Sequence, residues 1–150
     1  MQSNHRCRIL AFVGIALLSS LDAGAEALYR SEVKDRQYGG KPLVMEVQEQ
    51  SRDKRTSTVK VTFHSGASMP SALYIAKCIS EIGKARDAKY FVILKEWESD
   101  DGAQMYRVGF VQEPVADAAA YFGEPVVASG QNLPQYLSIE DLDKLLNPTR

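Results

Sequence analysis

Catalysis in a small chain usually rests on histidine, cysteine or paired acids, and this one holds only two histidines and two cysteines. His5 and Cys7 lie beside Arg6 and Arg8 at the start. A Cys–His nucleophile and base would therefore have to be Cys78 and His64. Cys78 falls more than two turns into a stretch of helical spacing that begins after His64, so helix rise alone sets them about 10 Å or more apart. His64 reads as a surface residue beside a loop, and a hydrolase using it is kept as an alternative. Single His and Cys residues without paired spacing make no zinc site. Met69, Met105 and His64 are soft copper donors, but methionine at such positions reads as core. Glu96, Glu98, Asp100 and Asp101 crowd one turn without the spacing of a calcium loop. Glu96 and Glu98 share a strand face, and a glycosidase-like pair would need a cleft around them. Neither a Gly-x-Ser-x-Gly elbow nor a P-loop is present. The expectation is a non-enzyme with no catalytic residue, no metal and no cofactor.

Aromatic residues carry the strongest binding potential. Trp97, Tyr106 and Phe110 fall at strand spacing with Phe91, either as core or as an exposed partner-binding face. A sheet edge adds backbone donors and acceptors for a second chain.

One pair of elements must position these residues. Ala72, Ile75, Ala76, Ile79, Ile82 and Gly83 fall on one stripe at 100° per residue, with Lys77, Ser80, Glu81 and Lys84 opposite. Ser68 suits the N-cap and Pro70 the first turn, and Arg86-Asp87 ends the helix. Gly83 on the apolar stripe lets a sheet come close, at the expense of helix propensity. Tyr90 to Leu94 is a continuous apolar run that reads as an inner strand. Leu43, Met45 and Val47 alternate with polar partners, as do Val59, Val61 and Phe63, and the charged run Arg52 to Arg55 between them reads as a solvated hairpin tip. Ser99 to Gly102 is a turn with glycine at positive φ, and Gln104 to Val111 is the fourth strand. The predicted fold is α+β: a two-layer ββαββ unit with a four-stranded antiparallel or mixed sheet, one main helix and short C-terminal helices.

The boundaries follow: 1–25 signal peptide, 26–41 flexible leader, 42–112 core domain and 113–150 C-terminal extension. In the extension, Val115 to Phe122 suggests two helical turns stopped by Gly123. Ser138 caps a short amphipathic helix through Leu146, which docks back on the domain or meets a partner. At the front, Ile9 to Leu18 is uncharged, Arg6 and Arg8 precede it, and Ala23-Gly24-Ala25 offers a cleavage site after Ala25, with Ala27 the second choice. Ten apolar residues are about half of what a membrane crossing needs. This places the protein in the periplasm or outside the cell. Removing residues 1–25 takes away Arg6, Arg8 and Asp22 and leaves 16 cationic and 18 acidic residues, a net charge of −2. That balance disfavours nucleic acid, and no second apolar run is long enough to span a membrane. Cys78 is then the one thiol, so it forms no internal disulfide. It is either a small buried hydrophobe or a bridge between chains, and a homodimer would form through it or through a sheet edge.

The segment Tyr74 to Val92, with Tyr74, Ala76, Ala88, Tyr90, Phe91 and Val92 in place, resembles small exported bacterial proteins of the CC0125/CC1285 lipoprotein-like type. The usual helix arginine is replaced here, and the lipidation motif is missing. The resemblance implies export and a packing pattern. The functional expectation is an envelope or periplasmic accessory domain that binds another protein. The alternative is an inhibitor or immunity-type protein for a toxin or enzyme.

Overall fold

The computed structural model describes residues 27–35, 42–126 and 135–147. The expected signal segment lies outside the described residues. The elements are β1 (Arg30–Asp35), β2 (Leu43–Arg52), β3 (Thr56–Ser65), α1 (Ser68–Ala85), β4 (Tyr90–Glu98), β5 (Gln104–Val111), α2 (Ala118–Phe122), β6 (Leu137–Ser138) and α3 (Ile139–Leu146).

The chain is α+β, but the expected four-stranded ββαββ layout does not hold. Six strands form one sheet in the order β1-β2-β3-β5-β4-β6, and every neighbouring pair is antiparallel. Both additions lie at the edges. β1 comes from the stretch expected to be a flexible leader. It pairs along its length with β2, Val33 opposite Met45, and puts Ser31 and Val33 on the core face with Arg30, Glu32 and Lys34 outward. β6 comes from the C-terminal extension and pairs Leu137 with Phe91.

The core lies between the sheet and α1. Strand alternation sends Leu43, Met45, Val47, Val59, Val61, Phe91, Val108 and Phe110 toward Cys78, Ile79 and Ile82 of the helix, all of them buried. At about 25 cal/mol per Å² of apolar surface, a stripe of this kind is what holds a helix on a sheet. The buried stripe is rotated from the expected one: Ala72 is exposed, while Cys78 and Ser80 are covered. α1 begins at Ser68, and the cap position belongs to Ala67, which makes no side-chain cap bond. Gly83 has the close-approach role. A Cβ there would meet Ile139 Cδ1 at 2.5 Å and the Phe110 ring at 3.2 Å. α3 thus docks back on α1, with Ile139 over Gly83, an ion pair between Lys84 and Asp143, and Ser138 Oγ accepting from the Asp141 amide at 3.2 Å.

The opposite sheet face is covered at one end. Asp117 caps α2 by accepting from the Ala120 amide at 2.9 Å, and Gly123 closes it at φ 71°, the left-handed conformation glycine adopts freely. Phe122 lies over Gly109, where a Cβ would come within 2.4 Å of the ring. Val92, Leu94, Ala103, Val111 and Ala118 are buried, yet none of them joins the main core cluster. Among the described residues, no helix is long and apolar enough to cross a membrane.

Candidate functional site

The charged run at the β2–β3 turn forms one wall of a cleft. Arg52, Asp53, Lys54 and Arg55 face Ala85, Arg86 and Ala88 at the end of α1, with Phe110, Val111 and Gln112 of the β5 end below and Tyr121 of α2 beside them. The volume is about 540 Å³, within the roughly 300–1,000 Å³ of ligand clefts. Four cations line it against one acid, on a chain whose net charge is −1.

Arg52, Asp53, Arg55 and Arg86 are each held in place. Glu49 continues the buried face of β2 with its side chain 0% exposed. It accepts from Arg52 Nε at 2.9 Å and Nη2 at 2.5 Å, from Ser57 Oγ at 2.6 Å and from the Tyr29 amide at 3.1 Å. Burial pushes the Glu49 carboxyl up, but the bonds from Arg52, Ser57 and Tyr29 outweigh it and hold the group below the usual carboxylate range. Arg107 takes Asp53 at 2.8 Å and Glu124 at 2.9 Å, and that pairing lowers Asp53 as well. Arg86 donates from Nη2 to the Asp53 carbonyl at 2.6 Å and lies 5.0 Å over the Phe110 ring. The Arg55 guanidinium sits 4.2 Å over the Tyr121 ring and donates from Nη1 to the Tyr121 carbonyl at 2.8 Å. Stacking of this kind fixes the plane of a guanidinium while leaving its edge for an anion.

Three acids near the cleft, Glu49, Asp53 and Glu124, are thus already paired with Arg52 and Arg107. Lys54 and Arg55, both exposed, have no carboxylate partner among the described residues. The arrangement can take up negative charge. Among the described residues there is no group of three or more His, Cys, Asp or Glu that could hold a metal ion.

The residues singled out from sequence fall elsewhere. Phe110 is 5% exposed and belongs to the core, reaching the cleft only as part of its floor. Tyr106 packs against the same core. The register sets Trp97 opposite Met105, on the face away from Tyr106, with Lys95 Nζ 5.3 Å from its ring centre. The three aromatics therefore do not form one exposed face, because strand alternation divides them. His64 is exposed near the end of β3. Cys78 is buried against Tyr29 and Tyr74. Burial pushes its thiol up, against smaller opposing pulls from the two tyrosine hydroxyls. Nearby, Tyr29 donates to Glu81, and Ser31 Oγ and Tyr74 OH share a bond of 2.7 Å. Sealed under β1, this thiol is closed to a second chain while the strand stays in place.

A second hollow, about 410 Å³, opens near the other end of the sheet between Met45, Val61, Phe63, Ser71 and Ile75, with Phe63 53% exposed. Its lining is largely apolar.

Sequence reasoning missed the cleft. Arg52 to Arg55 stands out in the sequence as a charge run and reads there as a solvated tip. The signal that pointed further was Glu49, an acid at a position that strand alternation assigns to the buried face. A buried acid calls for a cation, and Arg52 three residues on supplies it. Compared with known proteins, the chain matches no family model, no curated protein and no solved structure.

Proposed function

We propose that this is a small exported, non-catalytic domain that binds another protein through anionic groups seated in the basic cleft. The observation that carries the reading is the excess of cations around one hollow, with Arg55 and Arg86 held over aromatic rings. A carboxylate or phosphate entering there meets oriented donors that need little reordering, and that lowers the entropic cost of binding. The charged, apolar and small residues of the leading segment support export, and the similarity to exported lipoprotein-like proteins points the same way.

Calorimetric titration with citrate and with tripolyphosphate, at low and high salt, tests the cleft. The expected result is binding that weakens with salt and falls about tenfold in a Lys54→Glu/Arg55→Glu variant that keeps its native circular dichroism. Equal affinity in that variant, or no binding by either probe, contradicts the reading.

A further inference from the structure

Resting on that reading of the cleft, we infer that its occupant is an acidic peptide segment carrying an aromatic or aliphatic side chain next to its carboxylates. The two walls differ in kind. One is cationic and is built on the β2–β3 turn. The other is formed by Ala85, Ala88, Phe110 and Tyr121, with Arg86 laid over the Phe110 ring and Arg55 over the Tyr121 ring. A bare inorganic anion would use the first wall and leave the second wet. A volume of about 540 Å³ is also far more than one anion fills, and matches a group of side chains.

Carboxylate is the chemistry that this corner already handles. Arg52 forks onto Glu49, and Arg107 holds Asp53 and Glu124. The cations differ in what else explains them. Arg86 sits at the C-cap of α1, where a positive charge complements the helix dipole whether or not a ligand is present. Arg52 is committed to Glu49. Lys54 and Arg55 lie on a turn with no acid partner among the described residues, and of the two only Arg55 reaches a helix end, the Tyr121 carbonyl in the last turn of α2. Arg55 spends Nη1 on Tyr121, which leaves Nε and Nη2 to meet a carboxylate edge-on. Its ring contact continues into the apolar wall, so a carboxylate on Arg55 brings the neighbouring side chain of the same peptide over Tyr121 and Ala88. The aromatic neighbour then stacks or packs where a phosphate has nothing to offer.

Fluorescence anisotropy with the full chain and three probes, beside co-sedimentation with anionic phospholipid vesicles, decides this: a peptide with glutamates flanking a phenylalanine, the same peptide with alanine for phenylalanine, and tripolyphosphate as competitor. Binding of the phenylalanine peptide is expected to be severalfold tighter than that of its alanine counterpart. It should weaken about tenfold in Arg55→Glu and recover in part in Arg55→Lys. Arg55 is exposed, and native circular dichroism of each variant checks that loss of its contact with Tyr121 leaves the fold in place. Equal affinity for the two peptides overturns the inference. So does capture of the protein by anionic phospholipid vesicles with no peptide binding. Tripolyphosphate binding that depends on Lys54 and Arg55 while neither peptide binds overturns it too, yet leaves the anion-binding reading standing. Silence from every probe removes both.

Discussion

Glu49 shows how much one residue can decide. Its carboxylate is buried with four donors around it, and those donors come from Tyr29 just before β1, from β2 and from β3. Removing the carboxylate leaves Arg52 without its counter-charge and β1 without a tether. Glu49→Leu should cost about 3 kcal/mol or more in urea unfolding, with Glu49→Gln less severe because an amide oxygen still accepts. The pH dependence has a definite sign. The folded pKa is depressed below the ordinary 4.5, so the contribution is complete above about pH 4.5 and is lost as pH falls through the folded value. Acid unfolding followed by tryptophan fluorescence should shift to higher pH midpoint in Asp53→Asn, another lowered carboxyl, and a parent curve flat down to pH 2 would contradict both assignments. At Cys78 the outcome is kinetic. The buried, less acidic thiol should resist a maleimide in the native protein and label fully in urea. Rapid native labelling would show that β1 opens.

At the scale of elements, the two glycines under aromatic and aliphatic cover are the sensitive points. Gly83→Val should cost about 2 kcal/mol and loosen α3 first, because the new methyls meet Ile139 and Phe110. Gly109→Val on the other face should displace Phe122 and α2 by a similar amount while sparing α3. Hydrogen exchange of the two helices separates the two effects, and a uniform loss of protection in both variants would contradict this division. These elements differed in how plainly the sequence announced them. α1 and α3 carry helical stripes long enough to be seen, and Ser138 marks its cap by type. β1 is nearly silent: only Val33 is an apolar inward residue among charged neighbours, so its period-two signal is lost. β6 is two residues long, held by its partner strand with no propensity of its own to reveal it. α3 adds to the cover of α1, with its Ile139 over Gly83.

For the whole molecule, the missing information was long-range. Strand order cannot be read from local pattern when β5 inserts between β3 and β4, and that order is what brings the β2–β3 turn beside the end of α1 and Tyr121 of α2. The cleft exists because three distant segments end at the same corner. Each looked ordinary alone: a charge run, a helix terminus and an alanine-rich turn. The aromatic candidates are divided between faces for a related reason. Their spacing fixes which face each residue takes and the α1 stripe implies a helix over one face, but nothing local says that α2 covers part of the other. The central claim is that this corner is the working surface. Titrating ¹⁵N-labelled protein with the glutamate–phenylalanine peptide, and following backbone amide shifts, tests it most directly. The account expects saturable shifts gathered at Arg52 to Arg55, Ala85 to Ala88, Gln112 and Tyr121, and abolished by Arg55→Glu. Shifts centred instead on Trp97, or on the apolar hollow between Phe63 and Ile75, would contradict it.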